Sequence, residues 1–155
     1  MGHARRLSVQ PYDAVVLAGG SARRLGGVDK PGLEVGGRSL LASVLAAVPD
    51  AGVRVVVGPP RALPPDVVQV REEPPGRGPV PALAAGLVHV TAPRVAVLAA
   101  DLPFLDGATV ARLRAAAEHA DAALLVDDEG RDQYLCSVWR TPELRAGLPG
   151  AGPRL

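Results

Sequence analysis

Arg23, Arg24 and Lys30 are interleaved with Gly19, Gly20, Gly26 and Gly27, and cations spaced among glycines in this way can hold an anion. Glycine lets backbone N–H groups come close to a ligand, and the basic side chains neutralise its charge. A second group of chemically able residues is acidic. Glu72 and Glu73 follow the run Val67-Val68-Gln69-Val70, where they read either as a solvated pair or as hydrogen-bond acceptors. Asp101 follows Val95-Ala96-Val97-Leu98-Ala99-Ala100, where a carboxylate is either a turn or capping residue or a ligand for a hard cation. Cys136 sits alone in an apolar run and reads as a buried, inert thiol. His3, His89 and His119 have no ligand spacing and receive no role.

The elements around these residues alternate. Ala14 to Leu17 is a short valine-rich strand that breaks into the basic glycine loop, and Ser39 can cap a helix over Leu40 to Val48. Val53 to Val57 and Val67 to Val70 are strands separated by a proline-rich loop, and Ala82 to Val90 is an apolar helix. Val95 to Ala100 is a strand, followed by a helix opened by Asp106 or Thr109 and running to about Ala120. Ala122 to Val126 is another strand, an acidic turn Asp127-Asp128-Glu129-Gly130 follows, and Tyr134 to Trp139 is a strand that can run antiparallel. Thr141 begins a short helix. This alternation predicts a single-domain α/β fold, a mostly parallel doubly wound (Rossmann-like) sheet in a three-layer α/β/α sandwich. Ligands of such sheets bind beyond the carboxyl ends of the strands, where the glycine loop, Gly58, Glu72, Glu73 and Asp101 all fall.

Composition narrows the function classes. The 155 residues suffice for one domain with a substantial core, with residues 1–12 expected as a flexible leader, 13–148 as the folded domain and 149–155 as a tail. Seventeen Lys and Arg against sixteen Asp and Glu leave a net charge of +1, which is no footprint for nucleic acid. No stretch reaches membrane-spanning length, and no apolar segment follows Arg5 and Arg6 as a signal peptide would require. One cysteine forms no internal disulfide and agrees with a reducing, cytoplasmic setting. Oligomeric state is not readable.

Neither common phosphate loop fits. No glycine directly precedes Lys30, and Pro31 follows it, which excludes the P-loop; Gly19 to Arg24 does not supply G-x-G-x-x-G. What fits is L-A-G-G-x-x-x-R-x-G followed by D-K, here Leu17-Ala18-Gly19-Gly20, Arg24, Gly26 and Asp29-Lys30. With Ser21-Ala22-Arg23-Arg24-Leu25-Gly26-Gly27-Val28 and the later Leu33-Glu34-Val35-Gly36-Gly37, the chain resembles the molybdenum cofactor guanylyltransferases.

That resemblance implies a Mg²⁺-dependent transfer of GMP from GTP to a molybdopterin-type phosphorylated acceptor, with release of pyrophosphate. Leu17, Ala18, Gly19 and Gly20 would bind the nucleotide, Lys30 its phosphates, and Arg24 the leaving pyrophosphate. Asp101 in Asp101-Leu102-Pro103 would hold Mg²⁺, and Glu73 would accept from guanine, where the family usually has aspartate. Asp127 to Leu135 is similar to a stretch beside the acceptor site, although a plain hairpin turn accounts for it equally. Three features depart from the family: Gly58 in place of a frequent Asn, Gly78-Pro79-Val80-Pro81-Ala82 in place of G-P-L-A-G, and no D-T-P-E-type C-terminal segment. Rival readings are a related enzyme with another base or acceptor, of cytidylyl or sugar-phosphate type, and a non-catalytic nucleotide-binding module.

Overall fold

The computed structural model describes residues 10–19, 24–25, 28–29, 34–35, 38–72, 74 and 78–148. Its main sheet has six strands: β1 (Tyr12–Leu17), β6 (Arg54–Val57), β7 (Val67–Val70), β8 (Arg94–Ala99), β9 (Ala122–Val126) and β10 (Asp132–Arg140). The order β7-β6-β1-β8-β10-β9 is parallel from β7 to β8, whereas β10 is antiparallel to both of its neighbours. The doubly wound fold expected from the alternating pattern is therefore the observed one.

Central strands of a parallel sheet are covered on both faces, so they read as unbroken apolar runs. All six residues of β1 and of β8 are buried. On one face α1 (Leu40–Ala46) and α3 (Gly107–Ala117) bury Val44, Leu45, Val110 and Leu113 against Val16, Val56 and Leu98. On the other, α2 (Pro79–Leu87) and α4 (Thr141–Gly147) bury Leu83, Leu87 and Leu144 against Val15, Val57 and Val97.

Local chemistry sets the helix starts. Ser39 accepts from the Ala42 N–H at 3.0 Å and Asp106 from the Thr109 N–H at 2.8 Å, as N-cap side chains do. The Thr109 hydroxyl, and after it the Thr109 backbone N–H, holds the Asp106 carboxyl below the ordinary aspartate value by donating to it. The helix expected over Ala82 to Val90 begins earlier, at Pro79. Gly78 has φ of 91°, a turn that glycine permits, and Pro79 follows at a position where its missing N–H costs nothing.

The glycine-rich stretch contains two short antiparallel hairpins not expected from sequence, β2 (Arg24–Leu25) with β3 (Val28–Asp29) and β4 (Glu34–Val35) with β5 (Arg38–Ser39). Two-residue strands carry too little periodicity to be read. At the other end of the sheet Asp13, only 2% exposed, ties three segments together. Its carboxylate accepts from the N–H groups of Val53, Thr91 and Ala92 at 2.8–2.9 Å. The packed unit also begins before the boundary drawn at residue 12. Tyr12 is buried within β1, and Gln10 accepts from Arg94 at 3.0 Å and from Arg114 at 3.2 Å. The rest of the expected leader, residues 1–9, and the expected tail, 149–155, lie outside the described residues.

Candidate functional site

Three hydrogen bonds stitch the carboxyl ends of the parallel strands into one edge. The Ala100 N–H donates to the Leu17 carbonyl at 3.0 Å, Ala18 to Val57 at 2.8 Å, and Gly58 to Val70 at 2.9 Å. Four chain segments thus leave the sheet side by side: Ala18-Gly19 from β1, Gly58 from β6, Arg71-Glu72 from β7 and Asp101 from just beyond β8. Leu17 and Ala18 are buried, with the Leu17 carbonyl and the Ala18 N–H engaged in those bonds, and Gly19 is half-buried where the chain leaves the sheet.

Gly58 lets the edges close. A Cβ there would lie 2.8 Å from the Ala18 carbonyl carbon and 2.9 Å from its oxygen, closer than real Cβ atoms pack against backbone. The Gln69 amide fastens the same residue, donating to the Gly58 carbonyl at 2.8 Å and to Val70 at 3.2 Å. The glycine found where the resembled family often has Asn therefore has a steric reason in this chain.

Asp101 is partly exposed at the end of β8. Among the described residues its carboxylate accepts no hydrogen bond, so the capping alternative is not realised. The cap of the following helix is Asp106 instead. No group of three His, Cys, Asp or Glu among the described residues converges to hold a metal unaided. A single free carboxylate suits Mg²⁺, which takes one or two protein oxygens and completes its shell with substrate phosphates and water.

Of the other residues picked from sequence, Gly20, Lys30 and Glu73 lie outside the described residues, and Arg24 is described only as the backbone of β2. The neighbour of Glu73 is the unexpected feature. Glu72 is not a solvated residue: it is 7% exposed, and its Oε2 is buried without a hydrogen-bond partner. Strand parity carries the signal that could have found it. Val68 and Val70 pack into the cluster under α2, and Glu72 continues that alternation.

The acidic turn is hairpin-like and self-contained. Asp127 accepts from the Glu129 and Arg131 N–H groups at 2.9 Å and from the Arg131 and Gln133 side chains, while Gly130 takes φ of 78°. Those donors, the Arg131 backbone first, hold its carboxyl below the ordinary value. Cys136 is fully buried in β10, and burial pushes its thiol up, consistent with an inert side chain.

Comparison with known proteins places the chain in a family. The family profile of the MobA-like NTP transferase domain matches residues 14–154. The probable molybdenum cofactor guanylyltransferase of Mycobacterium tuberculosis is 36% identical over 154 residues, spanning 93% of this chain and 76% of that protein. The molybdenum cofactor guanylyltransferase of a Bradyrhizobium species is 40% identical over 137 residues, 81% of this chain and 64% of that one. The crystal structure of 2-C-methyl-D-erythritol 4-phosphate cytidylyltransferase from Thermus thermophilus superposes with a TM-score of 0.63 at 26% identity, covering 87% of this chain and 73% of that chain. By family profile and by sequence identity, the chain belongs to the MobA-like NTP transferases.

Proposed function

We propose that this protein is a cytoplasmic molybdenum cofactor guanylyltransferase, moving GMP from GTP to a molybdopterin-type phosphate and releasing pyrophosphate. Kinship to two proteins of that name, at 36% and 40% identity, supports the choice of substrates. The observation that carries the chemistry is the free Asp101 carboxylate on the strand edge that also presents Ala18-Gly19.

Phosphate attacking phosphate needs positioning and charge neutralisation more than proton transfer. In this reading the acceptor phosphate attacks the α-phosphorus in line, the bond to the β-phosphate bridging oxygen breaks, and pyrophosphate leaves with that oxygen. The nucleophile is already anionic, so no general base is required. Leu17 to Gly20 supply backbone to the nucleotide, Lys30 a point charge to its phosphates, Arg24 a planar fork to the leaving group, and Glu73 an acceptor to the base. Asp101 would hold Mg²⁺, which when bound offsets the charge on the phosphate oxygens.

A thermal-shift panel of GTP, CTP, ATP and UTP with Mg²⁺ tests the reading, because a ligand bound only by the folded state raises stability by mass action. Selective stabilisation by GTP is expected. Preference for CTP would move the chain to the cytidylyl class. Binding of GTP without pyrophosphate release, when acceptor is supplied, would reduce it to a nucleotide-binding module.

A further inference from the structure

We propose that the free edge of β9 pairs with the same edge of a second copy of this chain, joining the two sheets antiparallel about a twofold axis at Leu124. β9 closes one side of the main sheet and pairs only with β10 among the described residues. A strand in that place leaves half of its backbone donors and acceptors pointing outward. Parity tells which half. The Arg140 N–H donates to the Asp121 carbonyl at 2.8 Å and the Asp127 N–H to the Arg131 carbonyl at 3.0 Å, so the odd-numbered residues of this stretch bond to β10. Antiparallel ladders alternate, and the extra residues at the irregularity between the two strands lie in β10, not in β9. Ala122, Leu124 and Val126 therefore turn their N–H and carbonyl groups away from the sheet.

Nothing on the strand itself discourages a partner. Its five residues, Ala122-Ala123-Leu124-Leu125-Val126, include no charge, proline or glycine, the residues that usually blunt an edge. The opposite edge, β7, has four residues and follows Pro64, Pro65 and Asp66. On one face of β9, Ala123 and Leu125 pack into the cluster beneath α1 and α3. On the other face Leu124 is half-buried and Val126 is 54% exposed. That apolar face continues inward. Ala122 stands opposite Trp139, which lines an apolar cavity of about 270 Å³ together with Val80, Tyr134 and Leu135.

Symmetry names the partner. A twofold axis through Leu124 sets that residue opposite its own copy and Ala122 opposite Val126, so every outward-bonding residue meets another, and each pair exchanges two hydrogen bonds. The charges at the strand ends also fit. Asp121 falls opposite Asp127 of the second copy, and that carboxylate is already paired with Arg131 at 3.1 Å, whose side chain is 69% exposed and brings a cation to the contact. β9 runs in the same direction as β8, because both are antiparallel to β10. The two Asp101 edges of such a dimer therefore face opposite ways, and neither copy covers the other's site.

Sedimentation and amide hydrogen exchange over a concentration series test the pairing. A contact built on one short strand from each copy is small and weak, so the wild-type mass should rise from one copy toward two between about 5 and 500 µM. Exchange at Ala122, Leu124 and Val126 should slow as concentration rises, while Ala123 and Leu125, already bonded to β10, should not respond. Val126→Pro removes an outward N–H that β10 does not use, so it should melt as wild type does yet remain a single copy throughout. Leu124→Lys sets two ammonium groups face to face on the axis and should have the same effect on mass. If either variant fails to fold, the wild-type exchange pattern decides alone. Three results would overturn the proposal: one copy at every concentration, a dimer that Val126→Pro leaves intact, or even-numbered amides that exchange slowly at every concentration. The last would mean that a segment of the same chain covers the edge.

Discussion

Gly58→Ala is the smallest change that should damage both the fold and the site. The added Cβ would stand 2.8 Å from the Ala18 carbonyl carbon, 2.9 Å from its oxygen and 3.1 Å from the Gly19 nitrogen. Those atoms cannot move aside cheaply. Ala18 is 1% exposed, and its N–H is held by Val57 at 2.8 Å, while the Gly58 carbonyl is held by Gln69. Relief requires separating two adjacent strand ends by more than half an ångström. Overpacking of a dense interior costs about 1–3 kcal/mol, and contact with backbone instead of a flexible side chain argues for the upper half, about 2–3 kcal/mol. Losing a glycine also stiffens the unfolded chain, which returns about 0.4–1 kcal/mol. The net expectation is a loss of about 1–2.6 kcal/mol. For a chain of this size that is a fall in melting temperature of about 2–10 °C. Urea unfolding of both proteins measures it, and GTP titration should show weakened binding, because Ala18 and Gly19 are displaced with the strand end. A variant with wild-type stability and wild-type GTP affinity would refute the steric account of this glycine.

Asp101→Asn should leave stability unchanged but remove the Mg²⁺-dependent part of GTP affinity; full Mg²⁺ enhancement in the variant would show that the metal is held elsewhere. Lys30→Ala should weaken GTP binding with the melting temperature intact, and unchanged affinity in a titration would end its assignment to the phosphates. Asp13→Asn places an amide donor against N–H groups now bound at 2.8–2.9 Å, and should cost about 2–3 kcal/mol by urea denaturation. Burial, with the neighbouring Asp50 carboxylate, raises the Tyr12 phenol above its ordinary value of 10.0. For a group raised in the folded state, the stabilisation is complete below the unfolded value and is lost as pH climbs above it. Stability should therefore decline above about pH 10, and Tyr12→Phe should flatten that alkaline slope.

Much of the architecture was legible because it rests on local patterns. The apolar runs ending at Leu17, Val57, Val70 and Ala99 are strands because a parallel sheet buried on both faces admits little else. Ser39 and Asp106 announced their helices, since a cap is a contact over three residues. The glycine-rich basic loop and Asp101 could be placed at strand ends from the same alternation. Packing decided the rest. Whether Asp101 caps a turn or stays free depends on where Asp106 and Thr109 fall, and Asp106 takes the cap. Whether Gly58 is a replaceable loop residue depends on how closely β6 meets β1. Glu72 and Glu73 are indistinguishable by residue type, and only the closed layers bury the Glu72 carboxylate with its Oε2 left without a donor. Burial is a property of what comes to lie above a residue, often from far along the chain, so its energetic consequences emerge only when the layers close.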